Sequence, residues 1–174
     1  MEEHQPLEIE RKFLIARPDE ALLRPLCTAR RDIRQAYLTP GGHGETRRIR
    51  CAVTNGEAHY FYTEKQRITA VTRIEREHEI AQEEFDALFA ERDAALRVIE
   101  KTRWCVPFGG HTLEIDIFPF WSDRAFCEAE LSSEDEPLPL PDWLHVYREV
   151  TEDPRYTNRA LARAVPDEVL GGAE

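Results

Sequence analysis

The sequence has few of the residues that build a metal–thiolate site, a disulfide framework or a membrane span. Its four cysteines, Cys27, Cys51, Cys105 and Cys127, are widely scattered and form no CxxC pair. This spacing argues against a zinc site or disulfides, and reduced thiols are typical of a cytoplasmic protein. No apolar run approaches the length of a membrane span, and the acidic, polar N-terminus is unlike a signal peptide. We therefore expect a cytoplasmic protein.

An excess of positive charge is also missing. The chain has 34 Asp and Glu against 23 Lys and Arg, so its formal net charge is -11. This balance argues against a general binder of nucleic acids or of anionic membranes. The 174 residues contain no internal repeat, low-complexity tract or obvious linker. Their number fits one domain with a sizeable core, over residues 1–174.

Period-two alternation is what the chain has in abundance. It predicts eight strands, near residues 6–15, 31–39, 45–54, 57–67, 71–81, 96–106, 111–119 and 124–132. Asn55-Gly56 is a strong hairpin signal between the third and fourth strands. Successive hairpins suggest a meander that closes on itself. The expected fold is α+β but mainly β, an eight-stranded antiparallel barrel with helices packed outside.

Helices are expected in three places. The first runs from Asp19 to about Ala29, where Pro25 shortens or bends it. The second spans Glu83–Asp93 and carries an apolar stripe that should pack on the sheet. The third spans residues 154–165, close to the C-terminus.

The first predicted strand gathers charge on one side. Side chains alternate faces along a strand, so Glu8, Glu10 and Lys12 point one way while Ile9 and Phe13 point the other. Two carboxylates and an ammonium group this close together are poor material for a core. They are well suited to holding a metal ion next to a phosphate.

The later strands repeat this arrangement, with one parity charged and the opposite parity largely apolar. Acids dominate the first, seventh and eighth strands, whereas bases dominate the third, fourth and sixth. The charged parity comprises Glu8, Glu10, Lys12, Arg48, Arg50, Lys65, Arg73, Glu75, Glu77, Lys101, Arg103, Glu114, Asp116, Glu128 and Glu130.

Two architectures fit this pattern. In one, helices cover the apolar side of a sheet and the charged side is wet, as in many antiparallel sheets. In the other, the charged parity faces the inside of a closed barrel. The use of Arg, Glu and Asp rather than Thr, Lys and Gln, and the sorting of the two signs by strand, favour the barrel.

A charge-lined interior should hold a ligand, because buried charges are costly unless they are paired or bind ions. Seven bases suit a ligand with many anionic oxygens, since guanidinium groups match phosphate geometry. The carboxylates suit hard divalent cations such as Mg²⁺ or Mn²⁺, which take oxygen ligands and bridge phosphates. Together these groups predict a metal-dependent phosphoryl-transfer site for a linear polyphosphate.

At these residues the sequence resembles the CYTH, or triphosphate tunnel metalloenzyme, family. The hallmark of this family is an ExExK motif at the start of an eight-stranded antiparallel tunnel, and here it is Glu8-Ile9-Glu10-Arg11-Lys12. The similarity continues through the charged positions of the later strands to Glu149-Val150-Thr151 and Arg155-Tyr156, so it covers nearly the whole chain. In particular, the sequence looks like the small bacterial members that hydrolyse inorganic tripolyphosphate.

The resemblance implies a role for each matching position. Catalytic and triphosphate-binding roles fall on Lys12, Arg48, Arg50, Lys65, Arg73, Lys101 and Arg103, with Glu75 as a further catalytic residue. Metal ligands would be Glu8, Glu10, Asp116, Glu128 and Glu130, and the tunnel would also be lined by Glu75, Glu77 and Glu114. Two ions of Mg²⁺ or Mn²⁺ are expected, one to neutralise the phosphates and one to activate the attacking water.

Two further features have alternative interpretations. Tyr37 matches a family tyrosine whose hydroxyl could touch substrate, but packing would also explain an aromatic residue on a strand. Arg155, Arg159 and Arg163 recur every four residues and would share one face of the C-terminal helix, which in the family covers the barrel. They could draw in polyanions, although a solvated helix face is the favoured interpretation.

Several functions compete at this point. The leading one is hydrolysis of tripolyphosphate to pyrophosphate and phosphate, and relatives with the same fold hydrolyse thiamine triphosphate or nucleoside triphosphates, or act as class IV-type adenylate cyclases. A polyphosphate-binding module without turnover, or a structural module with a wet sheet face, belongs to a different class. The expected partner is a small polyanionic substrate, with no nucleic acid and no membrane, and the chain is expected to be a monomer or a homodimer.

Overall fold

The computed structural model describes residues 7–42 and 44–171, and most of its regular structure is antiparallel strand. The strands are β1 (Leu7–Ala16), β2 (Ala29–Tyr37), β3 (Thr46–Thr54), β4 (Glu57–Arg67), β5 (Thr72–Ile80), β6 (Ile99–Phe108), β7 (His111–Ile117), β8 (Arg124–Glu130) and β9 (Val146–Glu149). The helices are α1 (Glu20–Leu23), α2 (Gln82–Ala90) and α3 (Asn158–Arg163). All eight predicted strands are present, with ends shifted by up to three residues, and residue 6 lies outside the described residues.

The sheet closes into the predicted barrel. Its strands follow the order β5-β4-β3-β2-β6-β7-β8-β1, and β1 then pairs with β5. This closing seam is short, with Leu7 opposite Ile74, Glu8 opposite Arg73 and Ile9 opposite Thr72. The Asn55-Gly56 turn between β3 and β4 has positive φ at both residues (52° and 78°), as a tight two-residue hairpin requires.

The ninth strand is an addition that the sequence did not predict. β9 is four residues long and pairs with the second half of β1, on the edge whose first half pairs with β5. Beyond the strand, the Val150 amide donates to the Lys12 carbonyl at 2.8 Å. A strand this short shows too few alternations to stand out from its proline-rich surroundings. β1 therefore has three partner strands, β5, β8 and β9.

The apolar parity packs on the outside of the barrel. Phe13, Trp104 and Ile115 are buried in one cluster with Leu144 from the connector between β8 and β9. A second outer cluster places Phe85 of α2 on residues of β3 and β5. The alternation predicted from the sequence is confirmed, and the wet-sheet alternative is wrong, because the charged parity lies inside a closed wall.

One end of the barrel interior is filled with apolar side chains. Leu14 and Phe126 have the same parity as the charged residues but lie further along β1 and β8, and both are fully buried. They form one cluster with Tyr156 and Leu161 from the C-terminal segment. We call this cluster the apolar plug. It separates the charged part of the interior from that end of the barrel.

The helices differ from the prediction mainly in length. α1 ends at Leu23, two residues before Pro25, and therefore covers far less than the expected stretch up to Ala29. α2 begins and ends within a few residues of the predicted Glu83–Asp93.

The C-terminal prediction of one helix over residues 154–165 is wrong. A 3-10 turn at Pro154–Tyr156 is followed by Thr157 in an extended conformation, and α3 begins after it. Thr157 caps α3 by accepting a hydrogen bond from the Ala160 amide at 3.0 Å. Because of this break, Arg155 does not share a helix face with Arg159 and Arg163. Arg155 instead forms an ion pair with Asp153 at 2.8 Å.

Within residues 7–42 and 44–171, every helix falls short of the length and apolar character needed to cross a membrane.

Candidate active site

The barrel encloses a cavity of about 440 Å³ that gathers most of the predicted site residues. Fourteen of the sixteen line it: Glu8, Glu10, Lys12, Tyr37, Arg48, Arg50, Lys65, Arg73, Glu75, Glu77, Arg103, Glu114, Glu128 and Glu130. They come from all eight barrel strands, so the closure of the sheet is what assembles the site. Lys101 and Asp116, the other two, do not line the cavity.

Lys101 and Asp116 lie behind the cavity surface and bind each other. The Lys101 ammonium donates to Asp116 Oδ2 at 2.7 Å, and both side chains are completely buried. The Arg103 guanidinium donates to both Asp116 oxygens, at 2.7 and 2.9 Å. Arg103 also forms ion pairs with Glu114 and, at 3.6 Å, with Glu128. We call Lys101, Arg103, Asp116 and Glu128 the paired wall.

Burial and pairing set the charge states of the paired wall. Burial would raise the pKa of Asp116, but the attraction of Arg103 and Lys101 outweighs it and lowers the pKa below its usual value. The pKa of Glu128 is lowered in the same way, because Lys12, Arg103 and Lys101 outweigh desolvation. Desolvation lowers the pKa of Lys101 to about 7, against the attraction of Asp116. Both carboxylates of this wall are therefore anions at neutral pH.

Lys12 connects the cavity to the apolar plug. Its ammonium forms an ion pair with Glu128 at 3.2 Å and donates to the Tyr156 carbonyl at 3.3 Å. The same nitrogen lies 4.7 Å from the centre of the Phe126 ring, within the range of a cation–π contact. The C-terminal segment thus fixes the position of the lysine of the ExExK motif.

The ion pairs contributed by β1, β4 and β5 are looser. The Lys65 ammonium lies 3.2 Å from Glu8 and 3.5 Å from Glu75, and Arg73 lies 3.7 Å from Glu10. These five side chains keep exposed fractions between 12% and 20%, whereas those of the paired wall range from 0% to 9%. We call Glu8, Glu10, Lys65, Arg73 and Glu75 the open wall. Its longer distances leave anionic and cationic groups free to contact a ligand.

Carboxylates face each other directly at two places in the cavity. Glu10 lies opposite Glu130 across β1 and β8, and Glu114 lies opposite Glu128 across β7 and β8. Like charges at directly opposed positions destabilise a sheet. Desolvation and then repulsion by Glu128 raise the pKa of Glu10. A cation placed between such carboxylates would relieve the repulsion.

The pKa of Glu8 is also raised, by burial and by its hydrogen bond with Glu75. Burial and the charge of Glu8 likewise raise the pKa of Glu130. Glu128 Oε1 is buried without a hydrogen-bond partner and has only the Lys12 ion pair. These oxygens fit the preference of Mg²⁺ and Mn²⁺ for carboxylate ligands. Among the described residues, however, no three His, Cys, Asp or Glu side chains are already grouped as one metal site.

Two arginines of β3, Arg48 and Arg50, form a basic strip that completes the cavity. Burial, followed by repulsion from Arg48 and Arg103, lowers the pKa of Arg50 to about 9. The Nε atoms of Arg48 and Arg50 are both buried without a hydrogen-bond acceptor. Arg48 forms a long ion pair of 3.8 Å with Glu77, which also accepts a hydrogen bond from the Thr63 hydroxyl at 2.7 Å. Guanidinium groups with unused donors are suited to phosphate oxygens.

Tyr37 contacts this strip as well as the cavity. It is buried, and desolvation raises the pKa of its hydroxyl. The side-chain amide of Gln35 donates to that hydroxyl at 3.2 Å. Tyr37 also packs in the apolar plug, so both interpretations of this residue describe part of its environment.

Sequence reasoning missed several side chains that line the cavity. Arg31 and Arg67 both have the parity that faces inward. Arg31 lies six residues before Tyr37 on β2, and Arg67 lies two residues after Lys65 on β4. That parity was the signal that could have identified them. Asn158 reaches the cavity from α3, which only the three-dimensional position of the C-terminal segment shows. Arg159, one of the three arginines considered as a group that could draw in polyanions, lines the cavity beside it.

No family model matches the chain, but individual relatives do. An inorganic triphosphatase of Nitrosomonas europaea is 34% identical over 163 residues, which cover 91% of this chain and 99% of that protein. The chain belongs to the CYTH, or triphosphate tunnel metalloenzyme, family. A second CYTH relative, an inorganic triphosphatase of Acetivibrio thermocellus, is 32% identical over 90% of this chain and 93% of its own length.

The solved structures agree with this CYTH assignment. The crystal structure of the inorganic triphosphatase NE1496 superposes with a TM-score of 0.56 at 33% sequence identity, covering 91% of this chain and 96% of that one. The predicted family and the predicted barrel are therefore both confirmed.

Proposed function

We propose that the protein is a metal-dependent hydrolase of inorganic tripolyphosphate, which it converts to pyrophosphate and phosphate. The observation that carries this proposal is the cavity itself, where nine bases and seven carboxylates from the barrel strands and α3 line one space of about 440 Å³. The two relatives are each named inorganic triphosphatase, which supports the same activity here.

The bases have the chemistry to bind and orient a small polyanion. Arg48 and Arg50 can donate through their unused Nε–H groups, and Lys65 and Arg73 can exchange their long ion pairs for phosphate contacts. Charge-assisted hydrogen bonds of this kind are the strong ones in proteins. Fixed cations would also stabilise the charge that moves onto the leaving phosphate during transfer.

We propose Mg²⁺ or Mn²⁺ as the cofactor, with two ions per cavity. Glu8, Glu10, Glu128 and Glu130 would hold them, because these carboxylates face the cavity and repel one another. When bound, a divalent cation would supply Lewis-acid stabilisation of phosphate oxygens and activation of the attacking water. Asp116 was also expected to be a ligand, but Lys101 and Arg103 occupy both of its oxygens, so we propose that it supports the wall instead.

The direct test is phosphate release from tripolyphosphate, ATP and thiamine triphosphate, each with Mg²⁺, Mn²⁺ or EDTA. We expect fast metal-dependent release from tripolyphosphate and little from the organic triphosphates. A preference for ATP or thiamine triphosphate would keep the site and change the substrate. Failure to release phosphate from any of the three, with tripolyphosphate still bound, would leave a binding module.

A matched pair of variants on β5 tests the site assignment. Arg73 faces the cavity, whereas Arg76 lies on the outer parity of the same strand and is exposed. We expect Arg73→Gln to lower kcat/KM for tripolyphosphate by about tenfold or more, because charged hydrogen bonds are worth roughly 1.5–3 kcal/mol. Arg76→Gln removes the same charge and should change kcat/KM less than twofold. Equal losses in the two variants would contradict the assignment.

We also propose a cytoplasmic location. It is supported by the four free cysteines, two of which are buried in the barrel wall as thiols. A small polyanion is the partner that the cavity fits. A monomeric or homodimeric state and the absence of nucleic-acid binding stay predictions.

A further inference from the structure

Gln35 of β2 is a buried polar side chain whose hydrogen-bonding groups are only partly used. It has the same inward parity as Tyr37 and an exposed fraction of 0%. Its side-chain nitrogen donates a hydrogen bond to the Tyr37 hydroxyl at 3.2 Å. Its side-chain oxygen is buried and finds no hydrogen-bond partner among residues 7–42 and 44–171. A buried amide oxygen without a partner is costly, because its lost contacts with water are not replaced.

The surroundings of Gln35 would suit an apolar side chain. Ile33 has the same parity two residues earlier on β2 and is buried, and Ile99 lies directly opposite Gln35 on β6. Arg50 lies opposite Gln35 on β3, but it offers only donors and its Nε is also unpaired. Gln35 lies behind the cavity surface, against Tyr37, which lines the cavity. The polar side chain is therefore better explained by its contact with Tyr37 than by the stability of the barrel.

The contact with Gln35 determines what the Tyr37 hydroxyl can do. Tyr37 lies directly opposite Arg48 across β2 and β3, and the Arg48 guanidinium acts as a second donor to the phenolic oxygen. In the described part of the chain, the hydrogen bonds at this hydroxyl are all ones that it accepts. A phenolic hydroxyl can also donate one hydrogen bond. Its proton is therefore left for an acceptor inside the cavity.

The free proton lies in a strongly basic part of the cavity. Arg48, Arg50 and Lys12 all act on the Tyr37 hydroxyl and all line the cavity. Desolvation raises the pKa of this hydroxyl against their attraction, so it stays protonated at neutral pH. A phosphate oxygen held by these cations would be the acceptor that the hydroxyl lacks. A hydrogen bond received by the phenolic oxygen also polarises its O–H bond and strengthens its donation.

We propose that Gln35 is a positioning residue, which holds the Tyr37 hydroxyl so that its proton is donated to a phosphate oxygen of the ligand. Gln35 acts through Tyr37 alone, since its own side chain lies behind the cavity surface. The identity of the ligand rests on the proposed function.

The test is a double-mutant cycle of Gln35→Met and Tyr37→Phe. Affinity for tripolyphosphate is measured by isothermal titration calorimetry in EDTA, and kcat/KM is measured with Mg²⁺. We expect Tyr37→Phe to lower both quantities by about tenfold and Gln35→Met by about fivefold, because hydrogen bonds to charged groups are among the stronger ones. In protein that already carries Tyr37→Phe, Gln35→Met should change them less than twofold. Equal effects of Gln35→Met with and without the Tyr37 hydroxyl would overturn the inference.

Two controls separate positioning from packing. Tyr62→Phe removes a hydroxyl from the outer face of β4, where it accepts a hydrogen bond from Arg47 and donates to Glu64, and it should leave affinity and kcat/KM unchanged. The urea midpoint of Gln35→Met should equal or exceed that of the wild type, because the variant removes a buried unpaired oxygen. Gln35→Leu should repeat the same dependence on the Tyr37 hydroxyl with a different apolar shape. A lower midpoint together with losses independent of that hydroxyl would indicate packing and overturn the inference.

The two readouts distinguish this inference from the proposed function. Coupled losses of affinity in a protein that releases no phosphate would overturn only the proposed hydrolysis. Hydrolysis of tripolyphosphate with uncoupled losses would overturn only the role of Gln35. If the wild type fails to bind tripolyphosphate both in EDTA and with Mg²⁺, both are wrong.

Discussion

On the paired wall of the cavity, Asp116 accepts hydrogen bonds of 2.7–2.9 Å from Lys101 and Arg103, and its side chain is completely buried. On the open wall, Lys65 and Arg73 lie 3.2–3.7 Å from their carboxylates and remain partly exposed. The same residue types therefore do two jobs. Close, buried ion pairs stabilise the barrel, because breaking one leaves an uncompensated charge. Long, partly hydrated ion pairs can instead be replaced by contacts with a ligand.

The largest expected effect comes from breaking the paired wall. Asp116→Asn would leave Lys101 and Arg103 buried without their shared anion, and we expect a loss of about 3–5 kcal/mol in the free energy of unfolding. Urea denaturation measures this loss. Glu75→Gln on the open wall is the comparison, and it should cost less than about 1 kcal/mol. Similar losses from the two variants would show that the walls do not differ in this way.

A smaller effect is expected from the carboxylates that face the cavity. Glu130→Gln keeps the shape of the side chain and removes one of the proposed metal ligands. We expect metal-dependent release of phosphate to fall by about tenfold or more, with a higher metal concentration needed for half-maximal rate. The urea midpoint should stay close to that of the wild type. A normal rate with a normal metal requirement would remove Glu130 from the site.

The smallest effect is a dependence of cation binding on pH. Burial raises the pKa of Glu8, Glu10, Glu114 and Glu130. As the pH rises from the ordinary value of 4.5 through these raised values, the folded protein must form buried anions, so its free energy of unfolding falls. A divalent cation offsets this loss. Mg²⁺ should therefore raise Tm more at pH 7 than at pH 5.

The carboxylates of the paired wall change the free energy of unfolding with pH in the opposite direction, so they act as an internal reference. The pKa values of Asp116 and Glu128 are lowered, so their contribution to stability is present above the ordinary carboxyl pKa and is lost as the pH falls through the folded values. Thermal denaturation with and without Mg²⁺ at pH 5 and pH 7 separates the contribution of the carboxylates with raised pKa from that of the paired wall. An equal increase in Tm at pH 5 and pH 7 would argue against carboxylate ligands with raised pKa.

Much of this arrangement was predictable because strand parity is a strong signal. Alternation from Glu8 to Lys12 and along the later strands was enough to expect a charged interior, and Asn55-Gly56 was enough to place a hairpin. The pairing of Lys101 with Asp116 was not predictable, since it depends on the register of β6 against β7, where Arg103 lies directly opposite Asp116. Strand parity indicates which face of the sheet a side chain lies on, but it does not identify the residue beside it on the next strand.

The C-terminal region escaped prediction for a different reason. Periodicity over residues 154–165 suggested a helix, but Thr157 adopts an extended conformation and acts as a cap. β9 is too short to have a recognisable pattern. The position of Tyr156 beside Lys12 is a long-range contact that joins residues 144 positions apart, and no local rule contains it.

The three partner strands of β1 have a consequence for how the molecule folds. Phe13 pairs with Cys127 and Glu149, so the first strand finds two of its neighbours more than 110 residues later. Contacts of such sequence separation form late, because the intervening loop must be closed first. During synthesis, β1 must wait for nearly the whole chain to leave the ribosome. The ExExK carboxylates would stay in water throughout that time, and they become a site only when the last strands arrive.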